Sequence, residues 1–213
     1  MIQNPLKRAL RWGWVRYRLL TRSDSFLRSS GFLRSHQLLA PVDAQDQPIP
    51  WLNYNLIHFL DQRLQPHLRL FEYGAGYSTH WFAQRVKEVV ALEYDRRWER
   101  QVRHLLQDQP NVKLRFEEVG PAYIESAARD EEGYDLILVD GRERVACVEK
   151  ALEALRPGGV ILLDDTEREA YQAAFGIAEK AGYRALTLTG LKPFSFGREQ
   201  STLFYREGNC LGL

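Results

Sequence analysis

Three things are scarce in this chain: cysteine, acid near the start, and long apolar runs. Each shortage removes a class of protein. Two cysteines in 213 residues, Cys147 and Cys210, make neither a disulfide framework nor a zinc site, and such sparing use fits a reducing cytoplasm. No stretch approaches the roughly 18 apolar residues of a membrane span. Arg11, Arg16 and Arg18 interrupt the apolar core that a secretory leader would need. Over positions 1–36 a lone acid, Asp24, faces eight basic residues. That segment therefore carries +7, and the remainder −6 of an overall +1, so the start of the chain is chemically unlike its body. With 45% hydrophobic residues the whole has the composition of one ordinary globular domain.

Leu6, Leu10, Trp14, Tyr17 and Leu20 recur at three- and four-residue steps, which predicts an amphipathic helix over 5–21 with Pro5 in its first turn. Residues 22–50 read as a loop or broken helix. Pro50 and Trp51 open a second helix expected to reach Gln65. From Leu68 the pattern changes. Short apolar runs at 68–73, 89–94, 112–116, 134–139 and 160–163 alternate with helix-length stretches at 77–87, 96–108, 121–130 and 143–155. Such alternation predicts a parallel sheet covered on both faces. A further helix over 167–181 precedes two β-rich runs, 183–188 and 201–206, joined by a linker holding Gly190, Pro193 and Gly197, which suits an antiparallel hairpin. The expected fold is α/β: a Rossmann-like, doubly wound, mostly parallel sheet of about seven strands with a C-terminal hairpin. A basic helical extension, 1–49, would precede the main domain, 50–213.

Gly74 and Gly76 follow the first strand and precede a helix, where a tight turn lets a ligand approach the backbone. An ordinary glycine turn would look the same, but three features sharpen it. Glu93 ends the second strand 19 residues after Gly74, at the distance where an acid binds ribose hydroxyls. Thr79 stands where a dinucleotide fold places its third glycine, which speaks against NAD or FAD. Glu72 would be awkward beside a pyrophosphate but suits a ligand with an amino group and a sulfonium charge. These favour S-adenosylmethionine (SAM).

The Glu-x-Gly-x-Gly-x-Ser-Thr pattern of 72–79 resembles motif I of class I SAM-dependent methyltransferases. The runs 89–95, 134–141 and 155–165 are similar, in order, to their later motifs. The resemblance covers about residues 50–206 and, within the class, looks like a group of small bacterial proteins. It implies that Glu72 lies near the methionine amino group, that Tyr73, Gly74, Ala75 and Gly76 wrap the methionine moiety, and that Glu93 holds the ribose. It further implies that Tyr94 borders the adenine and that Ser78 and Thr79 cap the next helix while offering hydroxyls to the ligand. For the adenine-side acid after strand three, Glu117, Glu118 and Gly120 all lie near the strand end, and Glu118 is the residue chosen.

Asp140 ends the fourth strand and Asp164 and Asp165 end the fifth, so three carboxylates are expected at one edge, where they must be protonated or bridged by a cation. The set resembles the catechol-type O-methyltransferases, whose acids hold Mg²⁺. Asp165 departs from that family's Asn, and Arg142 and Arg144 from its catalytic lysine. Two readings therefore stand. Asp140, Asp164 and Asp165 bind Mg²⁺, or, with more weight, Asp164 or Asp165 caps a helix starting near Thr166. Asp140 is the leading catalytic candidate. Arg142 and Arg144 either form a solvated cluster with Asp140 and Glu143 or grip an anionic substrate, as a catalytic role for Arg142 would require.

The expected activity is methyl transfer to an oxygen or nitrogen of a small or glycan-like molecule. Aminopropyl transfer and a non-catalytic SAM-binding or membrane-associated accessory role are the alternatives. Nucleic acid is disfavoured by the acidic body. The basic Trp-bearing first helix has two readings: residues 1–36 lie peripherally on an anionic membrane, or the apolar stripe packs on the domain or on a second subunit as a homodimer. The second carries more weight, and the location expected is cytoplasmic.

Overall fold

A computed structural model describes residues 5–213, so the first four residues of the expected 1–49 extension lie outside it. Seven strands form one sheet: β1 (Arg69–Tyr73), β2 (Glu88–Glu93), β3 (Val112–Phe116), β4 (Tyr134–Val139), β5 (Leu155–Asp164), β6 (Arg184–Gly190) and β7 (Glu199–Tyr205). Their spatial order is β3-β2-β1-β4-β5-β7-β6. The strands from β3 to β5 are parallel, and β7 runs antiparallel to both β5 and β6. The doubly wound sheet with its terminal hairpin is as the sequence predicts. Strand order reverses between β1 and β4, and a crevice at the carboxyl ends there is the natural ligand site.

The helices are α1 (Pro5–Thr21), α2 (Phe26–Ser29), α3 (Phe32–Leu38), α4 (Tyr54–Asp61), α5 (Tyr77–Ala83), α6 (Arg96–Leu105), α7 (Pro121–Ile124), α8 (Arg144–Ala154) and α9 (Ala173–Lys180). Strand residues alternate between two apolar layers, as the two-residue period of a strand requires. Leu70, Val89, Leu136 and Leu162 face one side with Leu56 and Leu60 of α4, Phe82 of α5 and Val102 of α6. Phe71, Val90, Ile137 and Leu163 face the other with Tyr123 of α7, Val148 of α8 and Ala178 of α9. Both faces of the central strands are thus sealed, which leaves their ends for polar chemistry.

Local departures from expectation have visible causes. The helix expected from Pro50 begins at Tyr54, because Asn53 is its N-cap and accepts the Leu56 N–H at 3.0 Å. The 22–50 segment resolves into α2 and α3 around Gly31, whose φ of +81° and close packing on Val42 leave no room for a side chain. The helix expected over 121–130 stops after one turn at Ile124. The one expected over 167–181 is split into a 3₁₀ turn at Glu169–Tyr171 and α9. No helix starts near Thr166, so capping by Asp164 or Asp165 is corrected by the geometry.

Candidate functional site

A cavity of about 760 Å³ opens over the carboxyl ends of β1, β2 and β4. Its floor is the glycine turn between β1 and α5. Gly74 has φ +96°, and a Cβ there would lie 3.0 Å from the Asp140 carbonyl oxygen, so only glycine lets the β1 and β4 ends approach this closely. The turn is braced from outside by Trp98, whose indole Nε1 donates to the Ala75 carbonyl at 2.8 Å and whose ring lines the cavity. Trp98 thus packs against the core and walls the cavity at once.

Glu72 occupies a different position from the one the resemblance implies. It is fully buried and does not line the cavity. Its two carboxylate oxygens accept the hydroxyls of Ser78 and Thr79 on the first turn of α5. Thr79 Oγ1 in turn accepts the Gly76 N–H at 2.9 Å, the reciprocal half of a capping box. Glu72 therefore pins the glycine turn to α5. Burial raises its carboxyl to about 7, against the pull of the two hydroxyls. Tyr73 likewise points into the core, donating from its hydroxyl to the Ile124 carbonyl at 2.7 Å. Thr79 is sealed off and its hydroxyl is spent on Glu72, whereas Ser78 reaches the cavity wall.

Glu93, at the end of β2, does line the cavity. Its Oε1 accepts the N–H groups of Tyr94 and Asp95, both at 2.8 Å, which fixes the carboxylate at the cavity wall. Burial raises its pKa, and the backbone N–H groups oppose the rise. Tyr94 lies beside it, with its hydroxyl accepting Arg142 Nε at 2.9 Å. Glu118 is exposed and off the cavity, and Glu117 pairs instead with Arg129 at 3.3 Å. The expected adenine-side acid is thus not supplied by Glu118. His80 also lies outside the cavity.

The three expected carboxylates do converge: Asp140, Asp164 and Asp165 offer oxygens within 4.8 Å of one another. The cation among them is a lysine of the chain itself. Lys192, 5% exposed, donates to Asp164 Oδ2 at 2.5 Å and to Asp165 Oδ1. Arg144 pairs with Asp140 at 2.8 Å and Asp165 at 3.3 Å, and Arg168 with Asp165 at 2.8 Å. Three cations thus face three acids, and the ammonium sits where a bridging metal would need to be. The cluster does not fit a Mg²⁺ ion as well. Arg144 is buried, so the solvated cluster expected for it is corrected too. Arg142 remains exposed.

Burial pulls the Lys192 pKa down, but the neighbouring carboxylates of Asp164, Asp140 and Asp165 together raise it by more, so the ammonium stays charged. Asp165 is held below the usual carboxylate range by Lys192 and the two arginines, against burial. Burial, and then Asp164, push Asp140 upward against Arg144 and Lys192. A hydrogen-bonded chain fixes the cluster in the fold. Ser201 Oγ donates to Asp164 Oδ1 at 2.6 Å, and Asn53 Nδ2 donates to Ser201 Oγ at 3.0 Å, linking the α4 cap to the β5 end.

A second cavity of about 540 Å³ adjoins the first and shares Asp140, Arg144, Arg168, Trp51 and Phe194 with it. Phe194 and Trp51 stand 5.4 Å apart across the mouth. Phe194 holds a φ of +66° and Asp165 one of +58°, left-handed backbone that a branching side chain rarely adopts, here clustered at the cavity rim.

Residues 71–166 match the family model of a methyltransferase domain. No curated protein matches the chain. Among solved structures, it is similar to a precorrin-6y C5,15-methyltransferase from Geobacter metallireducens, with 18% identity over 71% of this chain and 87% of that one and a TM-score of 0.58. Aeropyrum pernix fibrillarin, solved with natively bound SAM, shares 15% identity over 67% and 68% with a TM-score of 0.54. An rRNA methylase from Streptococcus thermophilus shares 15% over 70% and 93% with a TM-score of 0.53.

Proposed function

We propose that the chain is a class I SAM-dependent methyltransferase that takes the methyl donor in one half of its double cavity and, in the other, a small or glycan-like acceptor whose oxygen or nitrogen is methylated. The match of residues 71–166 to a methyltransferase domain supports the reading. The observation that carries this reading is the sharing of Asp140 by the two cavities. A group at that junction reaches both partners of an in-line displacement.

In this reading Glu93 holds the ribose diol through its carboxylate, Gly74 and Gly76 admit the methionine moiety, and Tyr94 borders the adenine. Bound SAM supplies an electrophilic methyl group. Asp140, with its proton affinity raised by burial, takes the proton that the acceptor loses. Arg144 fixes its orientation at 2.8 Å. Trp51 and Phe194 offer flat apolar faces, and Arg142 and Arg168 offer charge, a combination suited to a polyhydroxylated or anionic ring.

Calorimetric titration tests the donor half, with NAD as the control. Glu93→Ala is expected to bind SAM at least about tenfold more weakly, because it loses a charge-assisted hydrogen bond. Equal affinity would remove Glu93 from the site. Transfer from methyl-labelled SAM to a panel of sugars, phenols, amines and RNA tests the acceptor half. RNA belongs in the panel because an rRNA methylase is among the similar structures. Asp140→Asn should retain SAM binding and lose turnover. The existing pairing of Asp140 with Arg144 favours a second reading, a SAM-binding accessory protein, which binding without transfer to any acceptor would support.

A further inference from the structure

Large apolar side chains left in water are concentrated in one part of the molecule. Val119 apart, the exposed ones lie within the first 39 described positions or at Trp51 and Phe196 beside the cavity mouth. Helix α1 holds half of them. It packs against α2, and Leu10, Trp14 and Tyr17, at four- and three-residue steps, each leave more than half of their surface exposed. Among the described residues no face of the domain covers this stripe, so the packing of the first helix on the domain is not seen there. Along its flank run Lys7, Arg11 and Arg18, and the Arg18 guanidinium lies 4.8 Å over the Trp14 ring. The helix carries five basic residues and no acid. It is not long and apolar enough to cross a membrane.

We propose that α1 docks in the plane of an anionic lipid surface, with Leu10, Trp14 and Tyr17 in the acyl boundary and its lysine and arginines among the headgroups. Both halves of the helix surface are satisfied by this partner. An RNA would neutralise the cations but leave the Leu10–Tyr17 stripe in water. A second copy of the chain would cover the stripe but bring two acid-free helices of like charge together. At about 1.5 Å per residue, α1 lies along the surface for roughly 25 Å. Its chain continues through α2 and α3 to Leu39, which lines the larger cavity, so the anchor is tied to the cavity side of the domain.

The test is flotation of the full chain with phosphatidylcholine vesicles, with and without phosphatidylglycerol. The protein should float with the anionic vesicles, float weakly with the neutral ones, and be released by salt. Arg11→Gln with Arg18→Gln should lower partitioning by about thirtyfold, from the usual contribution of two basic groups at such a surface. Leu10→Glu with Trp14→Glu should abolish it. All four substituted positions lie outside the core, so circular dichroism should show an unchanged fold. Flotation unaffected by either pair of substitutions would overturn the proposal, as would equal binding to neutral vesicles. A gel shift with RNA without flotation would assign the helix to nucleic acid. A dimer lost in Leu10→Glu, again without flotation, would assign it to self-association.

Discussion

Replacing Lys192 by methionine keeps most of its packing volume and removes only the ammonium. Asp164 and Asp165, 1% and 5% exposed, then lose their shared partner. Breaking a buried pair in this way typically costs about 3–5 kcal/mol. Arg144 and Arg168 still face Asp165, which places the expected loss near the lower end, about 3 kcal/mol. For a chain of this size that corresponds to roughly 6–12 °C in melting temperature. The pH dependence gives the sign. Without Lys192 the two carboxyls are raised in the folded state, so the folded protein binds protons that the unfolded chain has released. The deficit should therefore be small near pH 4 and grow as pH rises towards neutrality. Lys192 itself stays charged through this range, so the wild type contributes no opposing trend from it. Melting curves followed by circular dichroism at several pH values, with and without millimolar Mg²⁺, make the measurement. Mg²⁺ should recover part of the loss in Lys192→Met, whose acids are now free to hold it, and leave the wild type unmoved. If Lys192→Met melts with the wild type at pH 8, or if Mg²⁺ stabilises both proteins equally, the lysine is not the cation of this cluster.

Glu72 gives a second pH effect. Its folded value near 7, against 4.5 for the free group, means that stability falls as pH rises from about 4.5 to 7, by up to about 3 kcal/mol in all. Glu72→Gln should remove that slope, which denaturant titrations at pH 5 and 8 would show; an unchanged slope would mean that Glu72 is not its source. Gly74→Ala should cost about 1–3 kcal/mol from its left-handed backbone. By pushing the Asp140 carbonyl it should also weaken SAM binding, and wild-type melting and affinity would contradict the close approach. Chelation by EDTA should leave transfer by the wild type unchanged, since Lys192 stands in the cation position; a loss restored by Mg²⁺ would reinstate the metal reading.

Much of the sheet was legible because its central strands are buried on both faces and separated by helices, so each announces itself as a bounded apolar run. Glu93 was legible for the same reason, since a strand end plus a fixed spacing from Gly74 names one residue. Glu72 was misplaced because spacing shows only that an acid precedes the turn, and its side-chain direction is set by Ser78 and Thr79, six and seven residues on. Those two hydroxyls were the available signal. Arg144 also left a trace, at four residues from Asp140 on the first turn of α8. Lys192 left almost none. It is 28 residues from Asp164, in a linker with Pro193, and only the antiparallel insertion of β7 between β5 and β6 brings it to the β5 end. The ends of α4, α7 and the split helix before α9 depend on caps and tertiary contacts that periodicity does not report.

A cation carried on the chain behaves differently from one drawn from solution. The occupancy of a metal site follows the free ion and falls when a competitor or chelator takes it. The ammonium of Lys192 is present once per molecule, at the high effective concentration of a tethered group, and cannot be exchanged away. Its delivery requires the β6–β7 hairpin to be in place, because the linker that bears it is anchored where Tyr54 donates its N–H to the Leu191 carbonyl at 2.9 Å. Completion of the acid cluster therefore waits on the last part of the sheet. A chain folded only through β5 would have Arg144 alone to offset three carboxylates at its strand ends, and the arrival of the hairpin would supply the missing charge in one step.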